Sequence, residues 1–307
     1  MGKIELDHTG SGSGITLSSD GTDLLLDGTA VGGGGGGPTL FAENPSSSSS
    51  PTATGTDAVA IGDSRGIASG NYSLSLGNSL ASGGSSFSVQ IGNNSSILGA
   101  TGGGAIAMGN GAKASGSSAI AIGKDALAEN TSAVAIGKQV SAARPYGVAL
   151  GYRSKSNVNS KLVFAGGFFS DVGDAQTGVL VLRLDTTDAT PEALTTSNNG
   201  YESSFNQVIL PNNSAFAFHG TIVARQQASG GTASAAWKVE GLIRREGSAG
   251  TTVLANSATT VLDNTPSWGL ALSADTTNGG LKIEATGAAS TNIRWVATIH
   301  TSEVTYA

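Results

Sequence analysis

The sequence contains no cysteine, few aromatic residues and few charges, and each scarcity excludes a class of protein. Without cysteine there is no disulfide scaffold, no cysteine-ligated zinc site and no thiol nucleophile. Aromatic residues make up 5 % of the chain and charged residues 12 %, so little bulky side-chain material is present for a large core. No apolar run approaches the roughly 18 residues of a membrane-spanning helix, and we expect no membrane insertion.

The charge balance is acidic, with 16 Lys and Arg against 22 Asp and Glu and a net charge of −6. Proteins that bind nucleic acid usually display a basic face, so no nucleic-acid partner is expected. Glycine is abundant, at 46 of 307 residues. A Gly-, Ala- and Ser-rich chain of low charge is either disordered or a repetitive β structure packed with small side chains, and its repeats favour the second.

A five-residue unit, Ala-Val-Ala-Ile-Gly at residues 58–62, recurs seven times. The glycines that end the seven copies are 15, 15, 17, 14, 14 and 14 residues apart. Large aliphatic residues such as Val59 and Ile61 alternate with Ala58 and Ala60, which predicts a strand with one large and one small face. Fourteen residues suffice for two short strands and two turns, so each repeat predicts one coil of a parallel solenoid. The widest spacing contains the glycine-rich residues 99–104, which predict a bulged turn.

The repeat resembles the head repeat of trimeric autotransporter adhesins of the YadA-like type. That resemblance implies a left-handed parallel β-roll over residues 58–157 and the association of three chains side by side. A physical argument also favours a homotrimer, because the small Ala and Ser face of each coil would permit close approach of neighbouring chains. An isolated roll would leave that face as an exposed apolar patch.

Two segments precede the repeats and one follows them. Residues 1–31 predict a small β module, since apolar runs at 15–17 and 24–26 flank an Asp-Gly turn. Residues 32–57 contain six consecutive glycines and five consecutive serines, the composition of a flexible linker. Residues 158–307 hold longer alternating runs with all three Trp residues, which predicts an antiparallel β-sandwich of jelly-roll type. The predicted fold class is therefore all-β.

The search for chemistry yields no predicted catalytic residue, no metal site and no cofactor. A Gly-x-Ser-x-Gly match at residues 62–66 lies in a predicted solenoid turn without the helix that a hydrolase elbow needs. The three histidines lack metal-ligand spacing. Paired carboxylates would suit glycan cleavage, and the candidates in predicted loops are Asp171, Asp174, Asp185, Asp188, Glu192 and Glu202, although solvated loop positions are the favoured interpretation.

Exposed aromatic side chains are the usual anchors of a recognition surface. Tyr201, Phe205 and Trp268 lie beside predicted turns and are the candidates for receptor contact, although core packing is the favoured interpretation for each.

The order of small β module, linker, β-roll and terminal sandwich resembles short tail fibres of bacteriophages. The resemblance implies a virion protein whose N-terminus contacts tail or adaptor proteins and whose C-terminal domain binds a host cell-surface receptor, expected to be a glycan, without catalysis. One alternative is a fragment of an adhesin head, since the secretion signal, heptad stalk and membrane anchor of an adhesin are not seen here. The other alternative is a glycan-cleaving tailspike.

Overall fold

A computed structural model describes residues 50–62, 65–90, 99–227 and 233–306, together with four strands of the N-terminal stretch. The chain divides into two compact units, Met1–Ser46 and Ser47–Ala307. The first contains a four-stranded antiparallel sheet in the order β1-β2-β3-β4. Its strands are β1 Ile4–Leu6, β2 Ile15–Ser19, β3 Leu24–Leu26 and β4 Thr29–Ala30. The pairing of β2 with β3 is the hairpin that the sequence predicts.

The described residues between 52 and 165 form a parallel β-solenoid whose coils each contribute one strand to a wide sheet and one to a narrow sheet. This confirms the predicted parallel solenoid, while its handedness stays a prediction. The strands of the wide sheet are β6 Val59–Ile61, β8 Leu74–Gly77, β10 Phe87–Gln90, β12 Ile106–Met108, β14 Ile120–Ile122, β16 Val134–Lys138, β18 Val148–Tyr152 and β20 Leu162–Ala165. Those of the narrow sheet are β5 Thr52–Ala53, β7 Ile67–Ala68, β9 Leu80–Ala81, β11 Gly99–Ala100, β13 Lys113–Ala114, β15 Leu127–Ala128, β17 Ser141–Ala142 and β19 Lys155–Ser156.

The bulged turn expected at residues 99–104 is wrong. Gly99–Ala100 is an ordinary strand of the narrow sheet and pairs in register with Lys113–Ala114. The turn after it has the same hydrogen bonds as the other coils, with the Gly102 N–H bonded to the Ala114 carbonyl as the Gly116 N–H is to Ala128. The extra residues of the longest repeat therefore precede residue 99 and fall within 91–98, outside the described residues.

The small residues line the inside of the solenoid, so the expectation that they form the contact face for other chains is wrong. Ala121 and Ala135 of the wide sheet and Ala128 and Ala142 of the narrow sheet are fully buried and belong to one hydrophobic cluster. Small side chains fill most of this interior, and Val163 of β20 and Gln90 of β10 are among the few larger buried ones. The earlier coils use serine instead, and the buried Ser75 hydroxyl donates to the Ser79 carbonyl at 2.8 Å.

The large aliphatic residues of the wide sheet consequently point outward. They are half-buried or exposed, with Ile136 at 40 % exposure, and parallel register aligns them from coil to coil. We call this surface the aliphatic stripe; it consists of Val59, Leu74, Leu76, Phe87, Val89, Ile106, Met108, Ile120, Ile122, Val134, Ile136, Val148, Leu150, Leu162 and Phe164. A contiguous apolar surface of this length is unusual on a monomeric protein.

The C-terminal region is antiparallel, as predicted. Five long strands continue the wide sheet in the order β26-β25-β24-β29-β21 and then β20, and four shorter strands form a second sheet around β28. The long strands are β21 Ala175–Thr186, β24 Ser214–Gln226, β25 Ser234–Arg245, β26 Val253–Asp263 and β29 Ile293–Thr305. The shorter ones are β22 Glu192–Ala193, β23 Val208–Ile209, β27 Gly269–Asp275 and β28 Gly280–Thr286. The described residues contain one short 3-10 turn, Ala249–Thr251, and no helix long enough to cross a membrane.

The two C-terminal sheets enclose one core that contains all three tryptophans. Trp237 stacks on Trp295 with ring centroids 5.6 Å apart, and Trp268 tilts against Trp295 at 5.8 Å. Along β25, Trp237 and Val239 are buried whereas Lys238 is exposed, which is the alternation that the sequence predicts. Long apolar side chains therefore fill this core, in contrast to the alanine interior of the solenoid.

The solenoid and the C-terminal region are joined through a shared strand and a buried ion pair. Strand β20 pairs in parallel with β18 on one edge and antiparallel with β21 on the other, so one 13-stranded sheet runs through both parts. Lys161, directly before β20, reaches Glu303 of β29 at 2.5 Å, and both side chains are nearly inaccessible to solvent. Gln176 donates a hydrogen bond to the same carboxylate at 2.8 Å. Separation of the two partners would leave an uncompensated buried charge, so this ion pair fixes the last coil against the C-terminal sheet.

Candidate functional site

The three aromatic residues predicted to contact a receptor lie in different environments. The Tyr201 side chain is 77 % exposed and that of Phe205 is 39 % exposed. Trp268 is 5 % exposed and packs in the C-terminal core, where a ligand has no access to its ring. Tyr201 and Phe205 occupy one loop, and receptor contact through them stays a prediction.

Side-chain amides hold the loop that presents Tyr201. The buried Asn206 donates to the Tyr201 carbonyl at 2.9 Å and to the Ser197 hydroxyl at 3.1 Å, and its carbonyl oxygen accepts the Ser203 N–H at 2.8 Å. The Phe205 carbonyl accepts the Asn159 N–H at 2.8 Å, which ties the loop to the last coil of the solenoid. The loop therefore presents Tyr201 from a fixed backbone.

A second exposed aromatic surface lies at a corner of the solenoid, and we call it the cation–aromatic corner; it consists of Lys124, Lys138, Tyr152, Arg153, Phe168 and Phe169. Tyr152 meets Phe168 edge to face with centroids 5.5 Å apart. The Arg153 guanidinium lies 3.7 Å from the Phe168 ring centre, and the Lys138 ammonium lies 5.1 Å from that of Tyr152. Phe169 is 75 % exposed.

The stacking of coils puts these residues in register. The Gln139 N–H bonds to the Lys124 carbonyl at 2.8 Å, and the Arg153 N–H bonds to the Lys138 carbonyl at 3.0 Å. Lys124, Lys138 and Tyr152 therefore occupy the same position on three successive coils, about 4.8 Å apart as neighbouring strands are. Arg153 also donates from Nε to the Gln139 side-chain carbonyl at 3.0 Å, which orients its guanidinium.

A buried carboxylate shapes the loop that carries Phe168 and Phe169. Asp174 accepts the backbone N–H groups of Phe169, Ser170 and Asp171 at 3.0, 2.6 and 2.8 Å. Burial by itself would raise the pKa of Asp174, but the hydrogen bonds from Asp171, Ser170 and Phe169 outweigh it and hold the pKa below its ordinary value. The carboxylate therefore remains ionised and clamps the loop from within.

Acidification should release this clamp. Since the pKa of Asp174 is lowered in the folded chain, its contribution is complete above the ordinary aspartate pKa and is lost as the pH falls through that value toward the lowered one. We expect the Asp174→Asn variant to show faster hydrogen exchange of residues 169–171 at neutral pH, and a smaller change than the wild type on acidification. Mass spectrometry of that peptide, corrected for intrinsic exchange rates, measures both. Equal exchange in the two proteins at neutral pH would contradict the clamp.

Two of the remaining carboxylate candidates accept hydrogen bonds. Asp185 accepts from Arg294 Nε at 3.2 Å, and Asp188 accepts the Thr190 N–H at 2.7 Å. Asp171 lines a depression beside Asp174, and Glu192 lies on β22 next to Gly200.

One pair of carboxylates is brought together by the fold. Lys282 lies 3.4 Å from Glu202 and 3.0 Å from Glu284, and its hydrogen bond with Glu284 is the main cause of its raised pKa. A glycosidase places its two carboxyl groups on either side of the scissile bond. Here both carboxylates instead contact the Lys282 ammonium.

The fold also pairs two histidines that are distant in sequence. His219 and His300 are direct cross-strand partners on the outer face of the C-terminal sheet, with stacked rings 5.2 Å apart. Within the described part of the chain, no group of three or more potential ligands could hold a metal ion.

Sequence reasoning missed the cation–aromatic corner because its members come from three repeats and a loop. The signals were the lysines at 124 and 138, one repeat apart, the Tyr-Arg pair at 152–153 and the Phe-Phe pair at 168–169 after two glycines. The coil register brings them together, and the length of the repeat alone could have predicted that register.

No protein-family model and no curated protein matches the chain. The solved structures to which this chain is similar include a tailspike protein of Acinetobacter baumannii bacteriophage Fri1, a capsular polysaccharide depolymerase. The match has 11 % identity and a TM-score of 0.27, and it covers 77 % of this chain. Another is the tailspike protein of Acinetobacter phage vB_ApiP_P1, at 12 % identity and a TM-score of 0.24 over 81 % of this chain. The chain spans 38 % and 48 % of the lengths of those two proteins.

Proposed function

We propose that the chain is a receptor-binding fibre protein of a bacteriophage tail. Its N-terminal unit attaches to tail or adaptor proteins of the virion, and its C-terminal region binds a host cell-surface glycan without cleaving it. The observation that carries the proposal is the single 13-stranded sheet that runs from the repeats into the C-terminal region. A repeat region that shares its sheet with the terminal domain holds an exposed residue such as Tyr201 in a fixed position relative to the solenoid.

The repeat itself supports the fibre interpretation. Each coil buries mainly alanine or serine and pairs just with the coils before and after it. Such a unit gains stability by stacking, and a stack lengthens without enlarging its core. The repeats are therefore suited to form an elongated spacer.

The proposed active form is a homotrimer whose three chains cover their aliphatic stripes against each other. Burial of apolar surface contributes about 25 cal/mol per Å², and the stripe offers a half-exposed aliphatic side chain at nearly every outward position of the wide sheet. Three copies would also present three identical glycan sites. Avidity then converts weak single contacts into firm attachment.

An array of purified bacterial surface polysaccharides tests the proposal. We expect the full-length protein to bind a discrete subset of the array, and the Tyr201→Ala variant to bind that subset about tenfold less, because an exposed anchoring aromatic contributes on the order of 1–2 kcal/mol. Tyr72→Ala is the matched control, since Tyr72 is 65 % exposed on the solenoid. Failure of the wild-type protein to bind any member would refute the proposal.

The same bound polysaccharides decide between binding and cleavage. We expect no new reducing ends and no fall in polymer length after prolonged incubation with the protein. Release of reducing ends, abolished by Glu202→Gln, would replace the proposal with a glycan-cleaving tailspike that uses the Glu202 and Glu284 pair.

A further inference from the structure

We infer that the cation–aromatic corner is a binding site for an anionic polysaccharide that carries a carboxylate or phosphate on its repeating unit. This inference rests on the proposed function and adds a second site to it, on the solenoid and apart from Tyr201. Three observations carry it: the local charge, the exposed rings and the regular spacing.

The solenoid is basic within an acidic chain. Residues 50–165 contain eight Lys and Arg but four Asp and Glu, while the whole chain has a net charge of −6. Three of the six corner residues are cations, Lys124, Lys138 and Arg153. The nearby acids are Asp125, Asp171 and Asp174, and Asp174 is turned inward onto the N–H groups of residues 169–171. Lys124 and Lys138 are exposed, so their ammonium groups can approach a ligand anion without losing all their water. Charge complementarity therefore favours a polyanion over a neutral chain.

The aromatic rings supply the other half of a sugar-binding surface. Pyranose rings carry C–H groups on one face that pack against aromatic rings, and the electron-rich face of a ring also attracts cations. Phe168 and Tyr152 already hold Arg153 and Lys138 in this way, at 3.7 and 5.1 Å from the ring centres. Phe169 has three-quarters of its surface exposed and follows directly in the clamped loop. A saccharide on Phe169 would lie close to Arg153, which Gln139 orients beside the Phe168 ring.

The spacing of the row suits a polymer more than a small molecule. Lys124, Lys138 and Tyr152 repeat once per coil, about 4.8 Å apart, which is close to the length of one sugar residue in an extended polysaccharide. A chain laid along the solenoid axis would bring one anionic group near each lysine. Asp174 and Gln139 hold Phe169 and Arg153 in place before binding, which lowers the entropic cost of binding.

Titration calorimetry on the full-length protein tests this site with three probes: polygalacturonate, its carboxyl-reduced neutral form and poly(glycerol phosphate). We expect polygalacturonate to bind at least tenfold more tightly than the reduced form, and the affinity to fall with added salt because exposed charges are screened. The Lys124→Gln, Lys138→Gln double variant should lose about tenfold in affinity, and Phe169→Ala about fivefold. Tighter binding of poly(glycerol phosphate) than of polygalacturonate would identify phosphate as the recognised group.

Two control variants remove a cation or an aromatic ring outside the cation–aromatic corner. Lys238→Gln removes a half-exposed cation of the C-terminal sheet, and Tyr146→Ala removes a ring that is 59 % exposed in the turn before β18; both should bind as the wild type does. Unchanged affinity in the double variant, or equal binding of the reduced polymer, overturns the inference. If array glycans are still bound through Tyr201, the proposed function survives that result; if no glycan is bound, both fail.

Discussion

The Gly137→Ala variant is expected to lose about 4 kcal/mol of unfolding free energy, or to lose the solenoid entirely. Gly137 has a φ of +135°, a conformation that residues with a β-carbon rarely adopt. A β-carbon there would also meet the Gly151 carbonyl oxygen of the next coil far inside van der Waals contact. The obstacle is backbone of a neighbouring coil, so no side-chain rotation relieves it, and the whole stack would have to open.

The matched control is Gly166→Ala. No atom lies within 4 Å of a β-carbon placed on Gly166, and this residue has no positive φ. We expect its unfolding free energy to stay within about 0.5 kcal/mol of the wild type. Urea unfolding followed by far-ultraviolet circular dichroism measures both variants. Equal stability of the Gly137 and Gly166 variants would show that the glycine row of the wide sheet is not required for coil stacking.

The same row explains why the repeat could be predicted so directly. Gly109, Gly123, Gly137 and Gly151 all have positive φ at the same position of successive coils. An alternating run predicts the strand, and the periodic glycine after it predicts the turn. Both signals are local in the sequence because each coil contacts only its neighbours. The parallel solenoid and the wet and dry faces of β25 and β29 followed from such local patterns.

The inside and the outside of the roll could not be assigned from alternation alone. A period of two separates two faces but does not say which one is buried. Burial of the larger residues is the usual outcome, yet here Ala121 is fully buried and Ile122 beside it is not. The distance between the two sheets of the solenoid decides the matter, and that distance depends on turns whose geometry the sequence pattern does not specify.

Pairings between distant segments were beyond sequence reasoning for a related reason. Lys161 meets Glu303 across 142 positions because β29 inserts between β24 and β21. Nothing near either residue marks the other as its partner. Asp174 likewise appeared as one of six loop carboxylates, and only its hydrogen bonds to three successive N–H groups identify it as a structural clamp.

Replacement of Ile136 by glutamate is expected to convert the protein from a trimer to a monomer. Ile136 is 40 % exposed in the aliphatic stripe, on β16, and lies in register between Ile122 and Leu150. A trimer would place three new carboxylates in an apolar interface, and each buried unpaired charge costs several kcal/mol. The side chain points away from the alanine interior, so the coil itself should still fold.

Light scattering behind a sizing column measures this prediction. The wild type should have three times the chain mass of 30.2 kDa, or 90.6 kDa, and Ile136→Glu a mass near 30.2 kDa with an unchanged circular dichroism spectrum. Ser117→Glu adds the same charge at an exposed turn position and should remain at the trimer mass. A wild-type mass near 30.2 kDa would refute the trimer. A trimeric Ile136→Glu variant would instead place the interface elsewhere, because an apolar contact between the stripes does not tolerate three unpaired carboxylates.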